Sequence, residues 1–390
     1  MKRSHIAVTV IAAATTLVVG GCQGAADENT LRIGAVLSLT GKYAPSAKYV
    51  EEGYKYWAET VNENGGIDGK QVEVIIRDDK SDPATAANLA RGLVDKDEVS
   101  FILGPYGSGS TDTMAAVLET SKVPMLGTIA SDSAIWDRRA LKWTFQAFPS
   151  STYDHEAFLA VAEKQGYDRI TIVNEEVGFS TAAAEWAKSE AEARGMTVQS
   201  LSYPSDLQDF GSIVSKMKSF DPQGVTMGGY YEPSISLTKE MAAQRFDVPL
   251  YHFIQSADGV TAEALGPNVN GIVGRSSWEP QLPTEGNEEF VAGYQKMFGR
   301  EPSYHSAAAY AAGQVAQAAI EDGGGDAERI RDFLAGNKVE TIGGTYEVNE
   351  KGQQVGMHYI GIQWQNGKKE IIWPEEDMTA EVIAPKANWA

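Results

Sequence analysis

The sequence predicts an α/β protein built as two similar lobes, each a largely parallel sheet flanked by helices. Three observations predict it. Short β-branched runs alternate with amphipathic stretches of about 10 to 15 residues, the spacing of βαβ units. The alternation pauses at Pro149, and a second series of the same kind begins at residue 151. A chain of 390 residues, 43% of them hydrophobic, has room for two or three domains at about 150 residues each.

In the first series, residues 31–39 (LRIGAVLSL) read as a buried strand and 49–64 as a helix that stops at Gly65-Gly66. Residues 71–77 are the next strand. Asp82 then caps a helix reaching residue 96, with Pro83 in its first turn. A strand at 99–103, a helix at 111–121 and a strand at 123–126 follow, and an extended segment at 142–148 ends on Pro149. In the second series, helices at 153–165, 182–194, 210–219 and 233–245 alternate with strands at 169–174, 197–203, 225–228 and 249–253. A strand at 272–276 precedes helices at 288–298, 306–321 and 327–334. The tail, at 345–348, 357–365 and 370–373, reads as antiparallel strands with a turn at Asn366-Gly367.

The N-terminus carries a targeting pattern. Lys2 and Arg3 precede an uncharged, mostly apolar run at 6–19, shorter than the roughly 20 residues of a membrane span. The run closes on Val19-Gly20-Gly21-Cys22, which resembles the lipobox of bacterial lipoproteins with Val19 where Leu is usual. That resemblance implies a signal peptide at 1–21, a diacylglyceryl group on Cys22 and a polar tether at 22–30. A plain secretory signal with an incidental cysteine is the alternative. Either way the mature chain is expected to be exported, to the periplasm or the outer face of the cell membrane. Cys22 is the one cysteine, which excludes internal disulfides, a CxxC redox pair and thiolate metal clusters. Lys and Arg total 33 against 53 Asp and Glu, a net charge of −20, so nucleic acid is excluded as a partner.

Enzyme motifs fail when tested. Gly41-Lys42 is followed by Tyr43 rather than the Ser or Thr of a phosphate-binding loop. Ser108 has Tyr106 and Ser110 where a nucleophile elbow needs glycines. His155, His252, His305 and His358 stand singly and read as core or surface histidines. Asp78-Asp79 with Asp82 lacks the glycine and terminal Glu of a calcium loop. No catalytic residue, metal ligand or cofactor is expected.

The segment with chemistry is Gly104-Pro105-Tyr106-Gly107-Ser108-Gly109-Ser110-Thr111, between a buried strand and a helix. In open α/β sheets ligands bind beyond the carboxyl ends of strands, where this loop must lie. Its glycines expose backbone amides, the helix start attracts an anion, and the hydroxyls add donors, a set suited to a carboxylate. An ordinary capped turn is the other reading. Gly127-Thr128-Ile129-Ala130-Ser131 would stand beside it, bringing the Ala130 backbone and Ser131 hydroxyl to the same ligand. From the second series, Gly228-Gly229-Tyr230-Tyr231 brings aromatic rings, and Ser256-Ala257-Asp258-Gly259 one carboxylate that also fits a simple turn.

Together these stretches resemble the type I periplasmic solute-binding proteins of ABC transporters, in the leucine/isoleucine/valine-binding family. The matching segments are IGAVLSLTG, NENGGIDGKQVEVIIRDDKSDP, ILGPYGSGST, GGYYEP and Trp373-Pro374, in order along nearly the whole mature chain. The resemblance implies two Rossmann-like lobes joined by three crossovers, near Pro149, Ser276 and Thr345. Residues 31–148 plus 277–345 would form one lobe and 149–276 plus 346–390 the other. It also implies an α-carboxylate site at Ser108, Ala130 and Ser131 and an amino-group acceptor at Asp258. Phe179 would stand where relatives often have Tyr, Tyr230 would pack on the ligand, and Tyr106 would line its side-chain end. Trp136 and Trp278 fit either the pocket or the core.

The implied function is an extracytoplasmic, lipid-anchored receptor. It would carry a branched-chain or related aliphatic or aromatic amino acid to ABC permease membrane subunits, acting as a monomer. An aromatic carboxylate or short amide as cargo is a second reading, suggested by Phe179 and the tryptophans. A ligand-sensing receptor subunit is a third, and an enzyme fits worst because no nucleophile and base pair up.

Overall fold

The computed structural model describes residues 29–390, so the signal segment 1–21, Cys22 and most of the tether lie outside the described residues. The first sheet is built from β1 (Thr30–Leu37), β2 (Gln71–Asp78), β3 (Phe101–Leu103), β4 (Met125–Gly127) and β5 (Thr144–Gln146). Its order is β2-β1-β3-β4-β5, parallel throughout. The intervening helices are α1 (Ala44–Glu63), α2 (Pro83–Asp95), α3 (Ser108–Ser121) and the short α4 (Ala134–Arg138). Asp82 caps α2 as expected, accepting the Thr85 amide at 2.6 Å.

The second series supplies α5 (Glu156–Lys164), β6 (Arg169–Glu175), α6 (Gly178–Ala193), β7 (Thr197–Tyr203), α7 (Gly211–Phe220) and β8 (Gly224–Gly228). It continues through α8 (Tyr231–Ala243), β9 (Leu250–Phe253), α9 (Thr261–Leu265) and β10 (Val273–Ser276). The chain then forms α10 (Asn287–Phe298), α11 (Tyr304–Gly323) and α12 (Ala327–Gly336), and a two-stranded hairpin of β11 (Val339–Thr341) and β12 (Gly344–Tyr346). Finally β13 (Ile360–Gln365) and β14 (Lys368–Trp373) join the second sheet, ordered β14-β13-β10-β9-β8-β6-β7. Within this sheet only β13 and β14 run antiparallel to their neighbours, their hairpin closed by Asn366 and Gly367, both at positive φ.

The polypeptide therefore passes between the sheets after Gln146, after Ser276 and again between Tyr346 and Ile360. Helices α10 and α11 pack on α1, and α11 also on β3, so the segment after β10 lies with the five-stranded sheet. One tail expectation is corrected: residues 344–346 pair with Val339–Thr341, not with the tail strands. The β-branched Val339 and Thr341 find a nearby partner across Ile342 and Gly343, and the local hairpin wins.

Several helices start earlier than their apolar periodicity shows, because N-terminal turns accept residues that read as loop. Helix α1 begins at Ala44 with Pro45 in its first turn. Its buried face, Val50, Tyr54, Trp57 and Val61, keeps the helical spacing and packs on α11. That crossing is tight: a β-carbon on Gly53 would strike the Ser306 carbonyl, and one on Gly313 the Trp57 ring. Replacing Gly53 with Val should overpack this contact at a cost of about 1–3 kcal/mol, read as a lower melting temperature.

Candidate ligand site between the two sheets

Helix α3 starts at Ser108, so the amides of residues 108–110 are first-turn donors without helical partners. Gly107 ahead of it sits at φ 95°, a conformation that favours glycine. The loop is held from below: Tyr54 donates its hydroxyl to the Gly104 carbonyl at 2.8 Å. Asp79 accepts from Ser38 at 2.7 Å and from Ser110 at 3.1 Å. The Ser108 hydroxyl accepts the Asp132 amide at 3.1 Å, which leaves its own proton for another acceptor. The neighbouring loop is fixed through its carbonyls, Ala130 accepting from Gln146 at 2.8 Å and Ser131 from the Ser151 amide at 2.8 Å.

Across the gap, Tyr230 follows β8 and donates its amide to Glu175 at 2.8 Å. Its ring lies 4.3 Å from that of Tyr43, 5.1 Å from Phe179 and 6.4 Å from Tyr106, centroid to centroid. A β-carbon on Gly107 would sit 3.2 Å from the Tyr230 hydroxyl, and the Asp132 carboxylate lies against Gly178 in the first turn of α6. These contacts link the two sheets, so the cleft is shut.

Inside it, Tyr106, Ser108, Ser131, Phe179 and Tyr230 line one small pocket, together with Gly107, Ile129, Phe148, Gln255 and Arg275. Five of the seven expected ligand residues are thus gathered in one place. Ala130 stands just behind, its side chain packed with Ile135 and Trp136. Trp136 and Trp278 belong to the core, their indoles donating to the Thr144 carbonyl at 2.8 Å and to Asn287 at 2.7 Å.

Asp258 does not line the cavity. It is fully buried, its Oδ2 accepting from Ser46 of α1 at 2.7 Å, with His305 Nδ1 of α11 at 3.4 Å. Its Oδ1 has no protein partner. Burial pushes the carboxyl pKa up, but the His305 imidazole and the Ser46 hydroxyl outweigh it and leave the group below its ordinary value. Burial keeps His305 itself below the usual histidine range, and its ring packs edge-on against Tyr106 at 5.3 Å.

Sequence reasoning missed Arg275. It lies at the end of β10, 3% exposed, with Nε donating to Asp154 at 3.0 Å. Its guanidinium stands 4.5 Å from the Tyr359 ring, 5.4 Å from Tyr304 and 5.6 Å from Phe148. The available signal was an arginine at the carboxyl end of an otherwise uncharged, buried strand. Burial pushes the Asp154 carboxyl up to about 6 despite Arg275. Among the described residues no group of three or more His, Cys, Asp or Glu is placed to hold a metal.

Two sheets whose strand ends meet across a small pocket, lined by serines from one side and by rings from both, define a solute receptor. The chain belongs to the periplasmic binding protein family, whose sequence profile matches residues 30–369. It is similar to the Leu/Ile/Val-binding protein homolog 7 of Brucella suis biovar 1 (strain 1330). The two are 25% identical over 99% of this chain and 100% of that one. Its fold is that of LivJ, the branched-chain amino acid transporter substrate-binding protein of Streptococcus pneumoniae str. Canada MDR_19A solved with isoleucine. That match has a TM-score of 0.79 at 23% identity, covering 91% of this chain and 100% of LivJ. An ABC transporter solute-binding protein from R. palustris, in complex with benzoate, matches at TM-score 0.79 and 19% identity, covering 92% and 97%. Family membership makes this a binding protein with an extracytoplasmic location, not an enzyme. Among the described residues no helix is long and apolar enough to cross a membrane.

The core beside the site carries a pH dependence. His155 and His252 are buried and share the Thr226 hydroxyl, each with Nδ1 at 2.7 Å from it. Burial holds His155 down to about 3 and His252 well below its ordinary value. Both folded pKa values are depressed, so this stability is complete above the unfolded value of about 6.5 and is lost as pH falls from there toward 3. Asp154, whose pKa is raised, acts in the opposite sense. The melting temperature should fall as pH drops below 6.5, and less steeply in a His155→Gln, His252→Gln variant.

Proposed function

We propose that this protein is the extracytoplasmic receptor of an ABC importer, enclosing a small carboxylate between its lobes and delivering it to membrane permease subunits. The lobes are residues 31–148 plus 277–345 and 149–276 plus 346–390, hinged at the crossovers. One observation carries the reading. Ser108, in the first turn of α3, and Ser131 line a pocket bounded from the other sheet by Tyr230 and Phe179. Such donors hold an anion without any need for a surface cation, and closure over the ligand signals occupancy to a permease.

Two cargoes fit this cradle. For an amino acid, Ser108, Ala130 and Ser131 take the α-carboxylate, and Asp258, whose Oδ1 is buried and unpartnered, takes the ammonium. The Leu/Ile/Val-binding homologs support that reading. For an aromatic carboxylate, Tyr106, Phe148, Phe179 and Tyr230 supply walls for a ring. The likeness to the benzoate-bound protein supports this one. Cys22 is the attachment point for a lipid that keeps the receptor at the membrane.

Thermal-shift screening of the mature chain against amino acids and aromatic acids should find a stabiliser by mass action, and the absence of any shift would refute the carboxylate receptor. If the stabiliser is an amino acid, Asp258→Asn should weaken its binding by roughly 2–5 kcal/mol while sparing simple acids. Cys22→Ser should abolish incorporation of labelled palmitate and release the protein from membranes. Undiminished label would exclude Cys22 as the anchor.

A further inference from the structure

The charges on the cavity wall are unequal. Among the described residues its lining includes one cation, Arg275, and no acidic side chain. Asp154 meets the guanidinium only through Nε, and Asp258 lies outside the lining with Ser46 and His305 at its Oδ2. Arg275 Nη1 is buried and has no protein partner. A buried guanidinium donor left unpaired is costly, and here it belongs to a residue lining a pocket that also holds Ser108, the first residue of α3. Tyr359, Tyr304 and Phe148 pack around the guanidinium, holding its plane and excluding the water that would otherwise satisfy it.

We infer that Arg275 is a specificity residue that binds the anionic group of the cargo. The receptor therefore takes net-anionic organic acids without an ammonium group, such as aryl or arylalkyl monocarboxylates, in preference to zwitterionic amino acids. An ammonium held beside this guanidinium would meet like charge, with no carboxylate among the lining residues to offset it. A carboxylate instead accepts from Nη1 in a charge-assisted bond and from the serine hydroxyls, while the surrounding rings pack on its apolar body. The inference rests on the carboxylate-receptor reading above and chooses between its two cargoes.

Calorimetric titration of the mature chain with benzoate, phenylacetate, phenylalanine and leucine tests it. Removing Arg275 alone would strand Asp154 in the interior, so the informative variant is Arg275→Gln with Asp154→Asn, which neutralises both and keeps a polar pair. At least one acid should bind the parent roughly 100-fold more tightly than either amino acid, and the double variant should lose a similar factor. That variant's ligand-free melting temperature should stay close to the parent's, and Arg275→Lys should recover part of the acid affinity. Leucine or phenylalanine binding the parent as well as the acids, or the double variant retaining acid binding, would overturn the assignment. If the parent bound an amino acid and refused both acids, the receptor reading would stand and the role of Arg275 would fall. If none of the four bound, both would fall together.

Discussion

A charge withdrawn from water has to be met by the protein, and that constraint organises the seam between the two sheets. Asp258 follows β9 of the seven-stranded sheet, yet the groups at its Oδ2, Ser46 and His305, lie on α1 and α11, which pack on the other side. Arg275 and Asp154 meet within the seam. Lys369 of β14 reaches both Glu279, in the segment after β10, and the Ala257 carbonyl beside Asp258, at 2.9 and 3.2 Å. Buried pairs of this kind add little net stability, but they penalise any arrangement that leaves one partner alone. A seam that includes them has a defined closed geometry.

Much of the architecture is legible in the amino-acid order because parallel strands buried on both faces must be apolar throughout. The mostly buried runs at 33–37 and 170–173 stand out for that reason, whereas the edge strand at 197–203 is largely polar and only partly buried. Helix starts are harder to read. Pro45, Gly109 and Gly178 resemble loop residues, yet the first turn of a helix has no internal hydrogen bonds for them to break. Three-residue strands such as Val339–Thr341 and five-residue helices such as Ala134–Arg138 are too short for any periodicity to show.

The site divides along the same line. Tyr106, Ser108, Ser131 and Tyr230 are legible because each sits just after a strand whose end must face the cleft. Arg275 is not, since its meaning depends on Asp154, 121 positions away, and on three rings from distant segments. Asp258 is legible as a carboxylate beside the cleft, but not as one whose Oδ2 is already engaged from the opposite side.

The distribution of indole rings carries one more consequence. The chain has eight tryptophans, and none lines the cavity, whose aromatic surface is entirely phenol and phenyl. Trp57, Trp136 and Trp278 are sealed in the interior, while Trp364 is tied by its indole to the Ser256 carbonyl at 2.8 Å, in the loop carrying Gln255 and Asp258. Emission excited selectively from indole is therefore blind to direct contact with an occupant. Its optical response is that of the framework, with Trp364 placed to register displacement of the loop rather than the identity of what displaced it.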